Sequence, residues 1–74
     1  MKQDIRIKLG NRIRQLRAEN ELTQEKLSQL AGISLFYVQL LEARKPSRSP
    51  TLTVLEKLSD AFAVPLWKFL KFED

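Results

Sequence analysis

Gly32 is the residue that most constrains what this chain can fold into. Before it, Leu27, Leu30 and Ala31 recur at helical spacing, and Thr23 offers a hydroxyl to cap the helix that carries them. After it, Ser34 offers a second cap, and Val38 with Leu41 continue a buried stripe to about Ala43. One helix therefore stops after barely two turns and the next begins almost at once, which requires a residue free to take positive φ between them. Gly32 is that residue, and the small Ser28 leaves room for the second helix to cross the first. From Ser28 through Gly32 and Val38 to Leu41 the spacings are four, six and three residues.

The rest of the chain also reads as helix. Ile5, Leu9, Ile13 and Leu16 fall at steps of four, four and three, on one face of a helix that Asp4 caps. Asn20 is expected to end it in the left-handed conformation. Thr23 lacks the Glu or Gln three residues on that completes a capping box; Lys26 stands there instead. Arg44-Lys45-Pro46-Ser47-Arg48-Ser49-Pro50 is a loop, because two prolines at this spacing cannot continue a helix. Thr51 or Thr53 then caps a fourth helix with Leu55, Leu58 and Phe62 on one face, and Pro65 suits the first position of a short fifth. The expected helices cover about 5–19, 24–31, 35–43, 52–62 and 65–71, in one all-α domain spanning 1–74.

Composition narrows the chemistry that such a domain can do. Seventy-four residues leave room for a single core. With no cysteine and no histidine, the chain has no disulfide staple, thiol nucleophile, imidazole base or usual zinc ligand. Neither an enzyme, a metal site, a cofactor nor a small-molecule ligand is expected. The longest nearly apolar stretch, Ile33 to Leu41, is far short of the ~20 residues of a membrane span. Charges within Met1-Lys2-Gln3-Asp4-Ile5-Arg6 argue against a signal peptide, so a cytoplasmic protein is expected. Thirteen Lys and Arg against nine Asp and Glu give a net charge of +4, which suits an anionic partner. The basic first helix, with Lys2, Arg6, Lys8, Arg12 and Arg14, also has the look of a membrane-surface helix, but so small a domain needs its apolar stripe for the core.

Two short helices joined by a glycine turn form the helix-turn-helix pattern. Leu9-Gly10-Asn11-Arg12-Ile13-Arg14-Gln15-Leu16-Arg17, Leu22-Thr23-Gln24-Glu25-Lys26-Leu27, Ala31-Gly32-Ile33-Ser34, Tyr37-Val38, Leu41-Glu42 and Pro50-Thr51-Leu52-Thr53-Val54-Leu55-Glu56-Lys57-Leu58 occur in that order. In these blocks the chain resembles the phage-repressor/Cro-type (XRE) helix-turn-helix family over about residues 8–70. Small stand-alone members of that family include the controller proteins of restriction–modification systems and short phage repressors. The resemblance implies a five-helix, lambda-repressor-like fold and a transcriptional regulator that binds a palindromic operator in double-stranded DNA as a homodimer. Residues 34–43 would be the recognition helix in the major groove. Thr23, Gln24, Ser34 and Tyr37 would contact phosphates, and Arg17 and Glu42 would form a partly buried ion pair between the first helix and the recognition helix. Two family glycines are replaced, one by Glu21 and one by Arg44, and the loop after Glu42 is about two residues longer. Arg44, Lys45 and Arg48 in that loop are further candidates for phosphate contact.

Helical geometry locates the groove-facing side independently. With Val38 and Leu41 inward, Phe36, Gln39, Leu40 and Ala43 centre the outward side, and Leu35 and Tyr37 flank it. Leu35, Phe36, Gln39 and Leu40 are the expected base contacts: the Gln39 amide suits adenine, and the apolar side chains suit thymine methyl groups. Trp67, Phe69 and Phe72 exceed what a short terminal helix can bury alone and are expected to meet a second copy. The competing reading is a protein-interaction module or antitoxin that docks a protein on Leu35, Phe36 and Leu40.

Overall fold

The computed structural model describes residues 3–72; Met1 and Lys2, on which part of the reading of the N-terminus rests, lie outside the described residues, as do Glu73 and Asp74. Among the described residues the chain forms five helices and no strand: α1 (Ile5–Glu19), α2 (Gln24–Ala31), α3 (Leu35–Leu41), α4 (Leu52–Ala61) and α5 (Leu66–Phe69). Helix α2 packs against α3 and α4, α1 against α3, and α5 against α4. The core takes Leu9, Ile13 and Leu16 from α1, Leu27 and Ala31 from α2, Val38 and Leu41 from α3, then Leu58, Phe62 and Phe69. Leu22, Ile33, Tyr37, Val54 and Leu55 pack around its edge. None of the helices among the described residues is long and apolar enough to cross a membrane.

Four helices start on a side-chain oxygen that accepts a backbone N–H: Asp4 from Arg6, Thr23 from Lys26, Ser34 from Tyr37 and Thr51 from Val54. Each bond satisfies one of the donors that a helix start leaves unpaired. At Asp4 the Arg6 guanidinium (2.6 Å) and backbone N–H (2.9 Å) hold the carboxyl at about 2, below its ordinary 3.8. A carboxylate held low stabilises the fold above its unfolded value, and that contribution fades as pH falls toward 2.

Three helices end in the same way. The residue at the C-cap of α2, or just after it in α1 and α4, turns left-handed, and the next N–H reaches back five residues: Leu22 to the Arg17 carbonyl (2.8 Å), Ile33 to Ser28 (3.1 Å) and Val64 to Ser59 (3.0 Å). In each case that next residue is apolar and packs on the core, which is the hydrophobic contact of a Schellman closure. The left-handed residues are Glu21 (φ 55°), Gly32 (φ 69°) and Ala63 (φ 57°). Asn20, expected to take that role, sits at φ −101° instead. Leu22 is the apolar residue that anchors the closure, and this places the left-handed conformation at Glu21, one residue later than expected.

Other expectations are corrected by packing. Ile5 and Leu30 are exposed, so the α1 stripe starts at Leu9, and Leu27 and Ala31 bury α2 without Leu30. Helix α3 ends at Leu41 with Glu42 as its cap, short of Ala43. Helix α4 ends at Ala61 with Phe62 as its cap. Helix α5 is one turn, Leu66–Phe69, with Pro65 just outside it in extended conformation (ψ 153°). Gly10 acts through space: a Cβ there would lie 2.8 Å from the Leu41 carbonyl oxygen, so its absence lets α1 approach the end of α3.

Two substitutions test these backbone assignments by chemical denaturation. Ala63→Gly should raise stability by about 0.5–1 kcal/mol, because it relieves a left-handed alanine. Gly10→Ala should lower stability by about 1–2 kcal/mol, even though helix propensity alone favours alanine by ~1 kcal/mol.

Candidate nucleic-acid interface

Helices α2 and α3 cross at the turn around Gly32, with Ser28 buried and its hydroxyl donating to the Glu25 carbonyl at 2.6 Å. The hydroxyl is thereby satisfied within α2, where α3 packs. Val38 and Leu41 turn α3 toward the core, and this rotation decides which side chains remain outside. Phe36 is 68% exposed, Leu35 reaches 36% and Gln39 is exposed, whereas Leu40 and Tyr37 are half-buried. The seven residues of α3, Leu-Phe-Tyr-Val-Gln-Leu-Leu, carry no charge.

Positive charge follows this helix in the chain. Residues 42–51 connect α3 to α4, and Arg44, Lys45 and Arg48 are exposed along that connection. Among the described residues these three side chains form no ion pair or hydrogen bond. Thr23 and Ser34 both accept backbone N–H groups as caps, which leaves each hydroxyl proton free to donate. Gln24, half-buried, opens α2 beside Thr23.

The orientation of α3 is set from behind. Arg17 donates through Nε and Nη2 to the two Glu42 carboxylate oxygens, both at 2.8 Å, and through Nη1 to the Leu22 carbonyl at 3.1 Å. The Glu42 side chain is 4% exposed and that of Arg17 19%. One guanidinium thus joins α1, the turn into α2 and the cap of α3, and its donors are turned inward. No buried side-chain polar atom among the described residues lacks a partner.

Two neighbouring arginines have comparable roles that the sequence reading missed. Arg14 donates to the Glu42 carbonyl and to Asn11. Arg12 donates to the Phe69 carbonyl (3.0 Å), the Lys68 carbonyl (2.9 Å) and the Gln15 side chain (3.1 Å). Both arginines donate to carbonyls at helix C-termini, where the backbone offers few donors of its own. The sequence places Arg12, Arg14 and Arg17 on α1 but carries no signal for which carbonyls they reach.

The three C-terminal aromatics separate. Trp67 is 71% exposed, while Phe72 is half-buried against the core. Phe69 is fully buried, with its ring 6.0 Å from that of Phe62 at a tilt of 32°. Its expected place in an interface between copies is therefore corrected: on a one-turn helix, Phe69 is the residue turned toward Phe62 and has no surface left to offer.

A helix-turn-helix family model matches residues 13–66, more than half of the chain. The fold is similar to the crystal structure of the restriction–modification controller protein C.AhdI from Aeromonas hydrophila, with a TM-score of 0.78 and 31% identity, covering 86% of this chain and 94% of that one. It is also similar to a hypothetical transcription factor, NHTF, from Neisseria, with a TM-score of 0.80 and 29% identity, covering 89% of this chain and 72% of that one. Comparison with curated proteins finds no match.

Glu42→Ala removes one partner of a buried ion pair and leaves Arg17 uncompensated. Urea denaturation should show a loss of about 3–5 kcal/mol. A loss below about 1 kcal/mol would mean that the guanidinium finds water without strain and does not hold α3.

Proposed function

The chain belongs to the XRE-type helix-turn-helix family and is a DNA-binding regulator rather than an enzyme, and we propose that it acts as a homodimer on a palindromic operator. In this reading α3 lies in the major groove, with Leu35, Phe36, Gln39 and Leu40 toward base edges. Thr23, Gln24, Ser34 and Tyr37 meet the phosphates at the two helix starts, and Arg44, Lys45 and Arg48 meet those beside the loop. The observation that carries the reading is an uncharged outward face on α3, held in place by the buried Arg17–Glu42 pair and followed in the chain by three exposed cations with no ion pair among the described residues.

The exposed Trp67 and the half-buried Phe72 support a second copy at the C-terminal end of the domain. Two recognition helices would then enter successive major grooves about 34 Å apart. Transcription is controlled by occupancy, in the cytoplasm, through blocking or recruiting polymerase according to operator position. Because assembly and binding are coupled, occupancy rises steeply with protein concentration. The similarity to a restriction–modification controller is in keeping with such a concentration-set switch.

Binding sites selected from random DNA provide the test. Gln39→Ala should weaken the selected site far more than random duplex. Lys45→Ala should weaken both alike and reduce the slope of log affinity against log salt by about one. Identical behaviour of the two variants on both duplexes would sink the division into base and phosphate contacts. Negligible DNA affinity even at low salt would instead favour a protein partner on α3.

A further inference from the structure

We propose that the outward face of α3 reads the C5 methyl group of pyrimidines, and that at the position facing Phe36 it accepts 5-methylcytosine as well as thymine. The proposal rests on α3 being the recognition helix and adds the chemical feature that it recognises.

Helix α3 contributes a single amide, Gln39, and no charged side chain with which to hydrogen-bond base edges. The centre of its outward side is instead a phenyl ring, 68% exposed, with Leu35 on its flank. A major groove offers an apolar side chain one apolar group, the methyl on C5 of a pyrimidine. Thymine carries it always, and cytosine carries it in the same place when methylated at C5. A phenyl ring that gains only by covering the methyl does not sense which exocyclic group sits at the neighbouring C4 position.

Gln39 lies three residues on, next to Phe36 on the helix surface, and there the demand is different. Its amide can both donate to and accept from adenine, so that adjacent position stays tied to an A·T pair. One recognition helix thus combines a position that hydrogen-bonds with a position that senses methylation. The three cations in the loop beside α3, without ion pairs among the described residues, complement a polyanion, which favours a duplex over an apolar protein surface as the occupant of this face.

Fluorescence anisotropy on a duplex selected from random DNA provides the test, with the thymine facing Phe36 replaced in turn by uracil, cytosine and 5-methylcytosine. Removing the methyl as uracil should weaken binding about fourfold per site, and about fifteenfold when both halves of a symmetric duplex are changed. Cytosine should behave like uracil, and 5-methylcytosine should recover most of the loss. Phe36→Ala should bind the thymine and uracil duplexes equally while keeping its melting temperature, because the ring is exposed. Leu35→Ala provides a second variant should the first fold poorly. Lys45→Ala should weaken all four duplexes and preserve their ratios. Equal affinity for thymine and uracil duplexes, with site selection intact, overturns the methyl reading and leaves DNA recognition standing. Absence of any site-selective binding overturns both and assigns the exposed ring to a protein partner.

Discussion

The placement of α3 depends on one buried carboxylate. Glu42 closes the last turn of α3, is almost fully buried, and is met on both oxygens by Arg17 from α1. Desolvating two charges offsets most of their attraction, so such a pair adds little net stability to the fold. Its effect is geometric: the planar guanidinium matches the carboxylate in one orientation only, and that orientation fixes how far α3 is rolled on the core. Steric contact acts in the same direction. With no side chain at Gly10, the backbone of α1 comes close to the Leu41 carbonyl, one residue before the carboxylate that Arg17 holds.

Much of this was legible in the sequence, for reasons that lie in short-range chemistry. Thr23, Ser34 and Thr51 announce helix starts because their hydroxyls replace a missing backbone partner, and Gly32 announces the turn because few other residues take positive φ cheaply. The outward side of α3 follows from Val38 and Leu41 alone. What was misread depends on contacts between elements distant in the chain. Glu21 was passed over for Asn20, which is the better left-handed residue in isolation, although Leu22 and its core contact marked the right position. Phe69 was grouped with Trp67 because a one-turn helix has too few residues for periodicity to tell an inward aromatic from an outward one. The Arg17–Glu42 pair spans 25 residues and was accessible only through the family resemblance. Arg12 and Arg14 were read as a basic surface because nothing local to them indicates a carbonyl far along the chain.

The molecule keeps its two kinds of recognition chemistry apart. Charge able to meet a phosphate backbone lies in the connection between α3 and α4, where residues 44–50 have no helical constraint. Helix α3 itself is neutral and mostly apolar. Backbone attraction is screened by salt, whereas contact between apolar groups is not. In the proposed reading, ionic strength changes how tightly the domain holds DNA far more than which sequence it prefers.

Three of the four arginines on α1, Arg12, Arg14 and Arg17, have a mechanical consequence. Within two turns of one helix, Arg12 grips the carbonyl end of α5, Arg14 and Arg17 grip the end of α3, and all three stand on a single 15-residue rod. The connection between α3 and α4 is bypassed. Helices α5 and α3 are fastened to a common beam, so their mutual placement does not depend on the course of the loop between α3 and α4.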